Sequence, residues 1–259
     1  MAASCTFVSY ELRTTDVDAA EAFYTALLGW EARREGAARV FWAGSRRVGE
    51  LMALPERARA QGAPAHWLGH IGVEDVEASA RRFVALGAQR LGPVPQPAPG
   101  AHVVLLKDPQ GAVVALCSGR GDANPGAIAW HELHTTDREH AWACYAELFG
   151  WQAAGALELG AEVGTYQLFT WGGARQNVGG MANTARLPSI HTHWLFYLPV
   201  KDLDATLPVL RSLGGKLVNG PMRVPSGDRV AQCEDPQGAA FALYQGASDA
   251  LPAAPSAPR

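Results

Sequence analysis

One feature limits what this chain can fold into more than any other: it contains the same segment twice. Residues 7–30 read FVSYELRTTDVDAAEAFYTALLGW, and residues 128–151 read IAWHELHTTDREHAWACYAELFGW. Both carry E-L-x-T-T-D, a Tyr in the following stretch, and a closing Gly-Trp. Asp16 and Asp137 are 121 positions apart, as are Trp30 and Trp151. A second pair of matching segments, Asp108-Pro109-Gln110-Gly111 and Asp235-Pro236-Gln237-Gly238, is offset by 127. A repeat this long is a duplicated domain rather than a solenoid unit. Of the 259 residues, about half fall to each copy, which is enough for each to bury a core.

Each half divides again. Residues 5–13 have the β-branched and aromatic content of a strand. Thr15 or Asp16 can cap the helix that follows, whose Ala19, Ala20, Phe23, Tyr24, Leu27 and Leu28 recur at helical spacing, and Gly29 ends it. Short strands are expected at 30–34, 39–43 and 47–53, and a polar linker at 55–65. The pattern then repeats: a strand at 66–73, a helix at 76–87, and strands near 89–94, 101–107 and 112–118, with a Pro-rich loop at 93–100 and a tight turn at 107–111. The second half gives a strand at 128–135, a helix at 138–149 and strands near 151–157, 165–171 and 175–181. After the linker 183–190 come a strand at 191–200, a helix at 203–214 and strands near 216–224, 228–233 and 239–245. Pro208 inside that last helix should shorten or kink it. The organisation is therefore 1–120 for the first domain, 121–127 for a linker, 128–246 for the second domain, and 247–259 for an Ala/Pro-rich tail expected to be disordered. The fold class is α+β, with two βαβββ modules per half.

Composition excludes several functions. A net charge of −3 and the lack of a Lys/Arg cluster offer no face for nucleic acid. No apolar run approaches the roughly 20 residues of a membrane span. The opening MAASCTF has no basic region, so no signal peptide is expected. Cys5, Cys117, Cys144 and Cys233 are isolated, which suits reduced thiols and a cytoplasmic location. The partner expected is a small molecule, with the protein a monomer or homodimer.

Four βαβββ modules with E-L-x-T-T-D…FY…LLGW (11–30), E-L-x-T-T-D…CY…LFGW (132–151) and two DPQG turns resemble the vicinal oxygen chelate superfamily. It includes glyoxalase I, extradiol dioxygenases, fosfomycin-resistance enzymes and bleomycin-binding proteins. The resemblance covers residues 6–246 and implies two tandem glyoxalase-like domains, each a curved mixed sheet around a pocket. It also implies a divalent metal (zinc, nickel, manganese or iron) held by side chains from four strands. Carried over residue by residue, the four ligand positions are Ser9, Glu50, Leu68 and Ala115 in the first half. In the second half they are Trp130, Gly180, Leu195 and Ala242. Neither set is a complete metal site, so no metal is expected. A displaced site in the first half would draw on Glu50, His66 and His70.

Strand alternation assigns the remaining pocket-facing residues. In the first half these include Glu11 and Arg13, expected to meet a ligand or each other. In the second they are Trp130, Glu132, His134, His193, Tyr197 and Tyr244, an aromatic-walled set that points to the second half as the better-formed pocket. Glu132 and His134 share a face and are the candidates for acid–base catalysis. A polar cavity, or a buried carboxylate paired with histidine, is the plainer account of them. Trp30, Trp151, Tyr24 and Tyr145 read as core. The leading expectation is metal-free binding of a small organic molecule, for sequestration or a metal-independent reaction. The alternatives are a divalent-metal lyase, isomerase or dioxygenase with nonstandard ligands in the first half, or a half that serves only as a scaffold. Whether the modules pair within a half or exchange is left open at this level.

Overall fold

A computed structural model describes residues 5–92, 102–118, 127–172, 174 and 176–247. The Pro-rich loop 93–100, the linker apart from residue 127, and the tail beyond residue 247 lie outside the described residues.

The first module is β1 (Phe7–Thr14), α1 (Val17–Leu28), β2 (Glu31–Glu35), β3 (Ala38–Ala43) and β4 (Arg46–Ala53). After a short α2 (Glu56–Ala60) come β5 (His66–Val73), α3 (Val76–Ala85), β6 (Gln89–Arg90), β7 (Val103–Lys107) and β8 (Val113–Ser118). The second half comprises β9 (Trp130–His134), α4 (Arg138–Phe149), β10 (Gln152–Glu158), β11 (Thr165–Thr170) and β12 (Gly179–Ala182), a 3-10 turn at Asn183–Arg186, then β13 (His193–Pro199), α5 (Leu203–Ser212), β14 (Lys216–Arg223), β15 (Arg229–Glu234) and β16 (Ala240–Gln245). Some elements depart from the sequence reading, among them the 3-10 turn inside the linker 183–190. The polar linker 55–65 holds the helical turn α2, and Pro208 lies inside α5 without ending it.

The long helices start as their sequences dictate. Asp16, Asp75, Asp137 and Asp202 each accept a backbone N–H three residues on, at 2.8–3.1 Å. Gly29 and Gly150 close α1 and α4 in the left-handed region, at φ 67° and 69°, where a side chain would be strained.

The strands form two open eight-stranded sheets, ordered β2-β3-β4-β1-β5-β8-β7-β6 and β10-β11-β12-β9-β13-β16-β15-β14. The modules of each half meet through central antiparallel pairs, β1 with β5 and β9 with β13. Each half therefore builds its own sheet. The α+β class and the tandem arrangement follow the sequence reading. No helix among the described residues is long and apolar enough to cross a membrane.

Alternation sorts the strand residues onto two faces. Tyr10 and Leu12 enter the main core, which runs continuously through both halves and includes Phe7, Tyr24, Trp30, Tyr145, Trp151, Trp194 and Phe196. Gly69 makes part of this contact possible, because a Cβ there would lie 2.4 Å from the Phe7 ring and 2.7 Å from Phe196. The halves are also tied by a reciprocal pair of polar chains. Tyr24 donates to Asp235 Oδ2 at 3.2 Å and accepts from Trp67 Nε1 at 2.9 Å. Tyr145 donates to Asp108 Oδ2 at 3.2 Å and accepts from Trp194 Nε1 at 3.0 Å. The aspartates come from the two DPQG turns, so the helix of each half is fastened to the turn of the other. Between the halves, His131 Nδ1–H donates to the Val178 carbonyl at 2.8 Å, leaving Nε2 to accept from the Tyr10 hydroxyl at 2.6 Å.

Candidate functional site

The concave face of each sheet carries the residues left over from the core. In the first half, β1 contributes Ser9, Glu11 and Arg13, and β5 contributes His66, Leu68 and His70. Register sets Ser9 opposite His70, Glu11 opposite Leu68, and Arg13 opposite His66. β4 places Glu50 beside Glu11, and β8 places Ala115 beside His70. The alternation read from the sequence therefore holds in this sheet. Leu68 and Ala115 join Val103 and Leu105 in a small apolar cluster separate from the main core.

A cavity of about 110 Å³ opens on this face, lined by Ser9, Glu11, Glu50, His70, His102, Val103, Cys117, Ser118 and the edge of Tyr10. Glu11 and Arg13 are both 6% exposed and form a buried ion pair through Oε1 and Nε. Glu11 Oε2 faces His70 Nε2 at 3.4 Å. Burial by itself would raise the Glu11 carboxyl, but the His70 contact and the Arg13 charge outweigh it and hold it at about 2. Glu50 accepts from Arg47 at 2.6 Å. His66 is turned elsewhere, its Nδ1–H donating to the Pro64 carbonyl at 2.8 Å. Burial pushes the Cys117 thiol up to about 11, so it is not a thiolate at neutral pH.

The second half has the same frame with different filling. Glu132 and Tyr197 take the places of Glu11 and His70, at offsets of 121 and 127. The Tyr197 hydroxyl donates to Glu132 Oε2. Burial raises the Glu132 carboxyl to about 7 despite that bond, because no cation lies beside it as Arg13 lies beside Glu11. β12 sets Gly180 beside Glu132, the register position that Glu50 holds in the first sheet. A Cβ on Gly180 would lie 2.1 Å from the Tyr166 ring. The missing side chain thus admits that ring, and Trp130 Nε1 donates to the Tyr166 hydroxyl at 2.8 Å. Tyr197, Leu195, Val230 and Ala242 pack with Trp130 and Tyr244 on the same face.

The expectation of a better-formed pocket in the second half meets a physical obstacle here, since aromatic side chains occupy one another's space. Tyr166 was not among the residues singled out from the sequence. The signal for it was Gly180 itself, since a glycine at an inward position leaves room for a ring from the next strand. His134 does not bond to Glu132 in an acid–base pair. Its Nδ1 meets Thr184 Oγ1 at 2.5 Å, and its ring stacks on His193 at 4.7 Å. Burial above all holds His134 at about 4 and His193 at about 3, both neutral at pH 7.

The superfamily metal does not fit these residues. Ser9 offers a hydroxyl, Glu50 is engaged by Arg47, and Leu68 and Ala115 offer nothing. In the second half the positions are Trp130, Gly180, Leu195 and Ala242, with a tyrosine ring against the glycine. The displaced set is not assembled either, as His66 bonds to the Pro64 carbonyl and Glu50 to Arg47. Among the described residues, no group of three or more His, Cys, Asp or Glu side chains is placed to hold a metal ion.

Comparison with known proteins agrees with the architecture. Residues 9–117 match the family described as glyoxalase-like domain, and residues 127–243 match the glyoxalase/bleomycin resistance protein/dioxygenase superfamily. A Mycobacterium tuberculosis protein named as a glyoxylase, CFP32, is 30% identical over 247 residues, covering 91% of this chain and 92% of its own. The anthracycline biosynthesis protein DauV of a Streptomyces species is 27% identical, over 95% of this chain and 94% of its own. The crystal structure of a Mn(II)-bound glyoxalase from Novosphingobium aromaticivorans superposes with a TM-score of 0.61 at 17% identity, covering 94% of this chain and 82% of that one, a likeness of fold.

Proposed function

Because this chain belongs to the glyoxalase/bleomycin resistance protein/dioxygenase superfamily, with one such domain in each half, we propose that it binds a small organic molecule on a concave sheet face without the superfamily's metal. The observation that carries this reading is the donor set. Three of the four ligand positions in the first half are Ser9, Leu68 and Ala115, and the fourth, Glu50, is already paired with Arg47. A divalent ion needs several oxygen or nitrogen donors converging at about 2.0–2.5 Å, and these side chains cannot supply them.

The first half is the binding half in this reading. Its cavity is lined mainly by polar groups, Ser9, Glu11, Glu50, His70, His102 and Ser118, with Val103 and Cys117 as apolar contacts, so it suits a small ligand that hydrogen-bonds. The second half, with Trp130 bonded to Tyr166 and Tyr197 to Glu132 across its concave face, buttresses the first through the shared core. Similarity to a relative named for anthracycline biosynthesis supports an organic ligand. Cys5, Cys117, Cys144 and Cys233 are all free thiols, which supports a reducing, cytoplasmic location.

The test is elemental mass spectrometry of protein purified without chelator or affinity metal, followed by a thermal-shift screen of small organic compounds. Substoichiometric metal together with stabilising organic hits is the expected result. One divalent ion per chain, lost in parallel with ligand binding on chelation, would overturn the metal-free reading.

A further inference from the structure

The cavity of the first half contains a feature that the second half lacks. His70 is 8% exposed, and its Nε2 is buried without a hydrogen-bond partner. It faces Glu11 Oε2 at 3.4 Å, a long contact that lowers the Glu11 carboxyl but leaves room for a better-placed partner. The other oxygen of Glu11 is taken by Arg13. In the second half the counterpart carboxylate is satisfied directly, because Tyr197 donates to Glu132. One copy of the same frame therefore closes on itself, while the other leaves a donor and an acceptor side by side at a cavity wall. A buried polar group left unbonded destabilises the site, so a molecule that completes the pair recovers that loss.

We infer that Glu11 and His70 together recognise a neutral hydroxyl group on the bound molecule, its O–H donating to Glu11 Oε2 and its oxygen accepting from His70 Nε2–H. The inference rests on the small-molecule reading above and specifies its ligand. Facing a carboxylate, Nε2 is the nitrogen that carries the proton. The surroundings reject the other ligand classes. An anion would meet the Glu11 and Glu50 carboxylates, both on the cavity wall. A cation would meet carboxylates already neutralised by the Arg13 and Arg47 guanidinium groups. A bare ketone or ether could accept from His70 but would leave Glu11 Oε2 unmet. A neutral alcohol or enol is both donor and acceptor, and its carbon skeleton would lie against Val103.

The test is a titration of the full-length protein with cyclohexanol, its methyl ether and cyclohexanone, followed by amide ¹H–¹⁵N NMR. The alcohol should shift amides of β1, β5 and β8 saturably and bind about tenfold or more tightly than the ether or ketone, as expected for a hydrogen bond to a charged group. Glu11→Gln and His70→Leu should reduce that preference to within about twofold, and the wild-type comparison stands even if either variant folds poorly. Equal binding of alcohol and ether at these strands would overturn hydroxyl recognition while leaving small-molecule binding intact. Saturable shifts confined to the second sheet, or no saturable binding of the alcohol, would overturn it as well. In that case the metal-content and ligand screen decides the broader reading independently.

Discussion

Replacing Tyr24 with Phe removes one oxygen atom and should destabilise the whole protein. The ring stays in place against Trp30 and Trp67, so no large cavity forms. Two bonds are lost. Trp67 Nε1–H, on a residue 5% exposed, loses its acceptor, and Asp235 Oδ2, on a residue 1% exposed, loses its donor. Asp235 Oδ1 keeps the backbone N–H groups of Gln237 and Ala239, so the turn itself survives. An unsatisfied buried N–H costs about 1–3 kcal/mol and the lost bond to the carboxylate adds to it, so Y24F should cost about 2–3 kcal/mol. Y145F should cost the same, through Asp108 and Trp194. The two chains share no residue, so the double variant should lose about 4–6 kcal/mol, additive to within about 0.5 kcal/mol. The assay is equilibrium urea unfolding followed by tryptophan fluorescence, with the slope compared between variants to confirm that the same surface unfolds. If each single variant costs under about 0.5 kcal/mol, these bonds do not fasten the halves together.

Three further outcomes are expected. The Glu132 carboxyl is raised to about 7 by burial, so its contribution is full below about 4.5 and falls as pH rises to 7; the stability of Glu132→Gln relative to wild type should therefore grow by about 3 kcal/mol over that interval, and a constant difference in urea unfolding would refute it. Burial holds His131 at about 4, so its contribution is full above about 6.5 and lost on acidification toward 4; His131→Phe should abolish an acid-side loss of about 3 kcal/mol, and an unchanged slope would count against this assignment. Tyr166→Ala vacates the space against Gly180 and leaves Trp130 Nε1 without its acceptor, so it should cost about 3–5 kcal/mol and open the second concave face to a fluorescent apolar probe; full stability without probe binding would mean the ring plugs nothing.

Much of this architecture could be read from the residues. The 121-residue repeat set the tandem organisation, and helix-capping aspartates with Gly29 and Gly150 set the helix ends. Alternation in β1 and β5 put Ser9, Glu11, Arg13, Leu68 and His70 on one face, because a strand has only two faces. What escaped depends on contacts between distant segments. Tyr24 and Tyr145 were legible as core, but their bonds to the DPQG aspartates reach 211 and 37 residues along the chain, and no local pattern encodes them. The second concave face looked open in sequence because aromatic residues line pockets and fill them equally well. The difference lies in the packing of Tyr166 against Gly180, a matter of volume rather than type. The short α2 was missed because its five residues bury nothing and so carry no hydrophobic period.

The Tyr24–Asp235 bond also bears on how the protein is made. Tyr24 leaves the ribosome with a hydroxyl whose partner aspartate lies 211 residues further on. At about 5–20 residues per second, that partner follows roughly 10–40 s later. Until then the inner surface of the first half, including Phe7 and the Asp108 turn, faces water or a chaperone. The last strands to be synthesised thus complete a core that the first helix began.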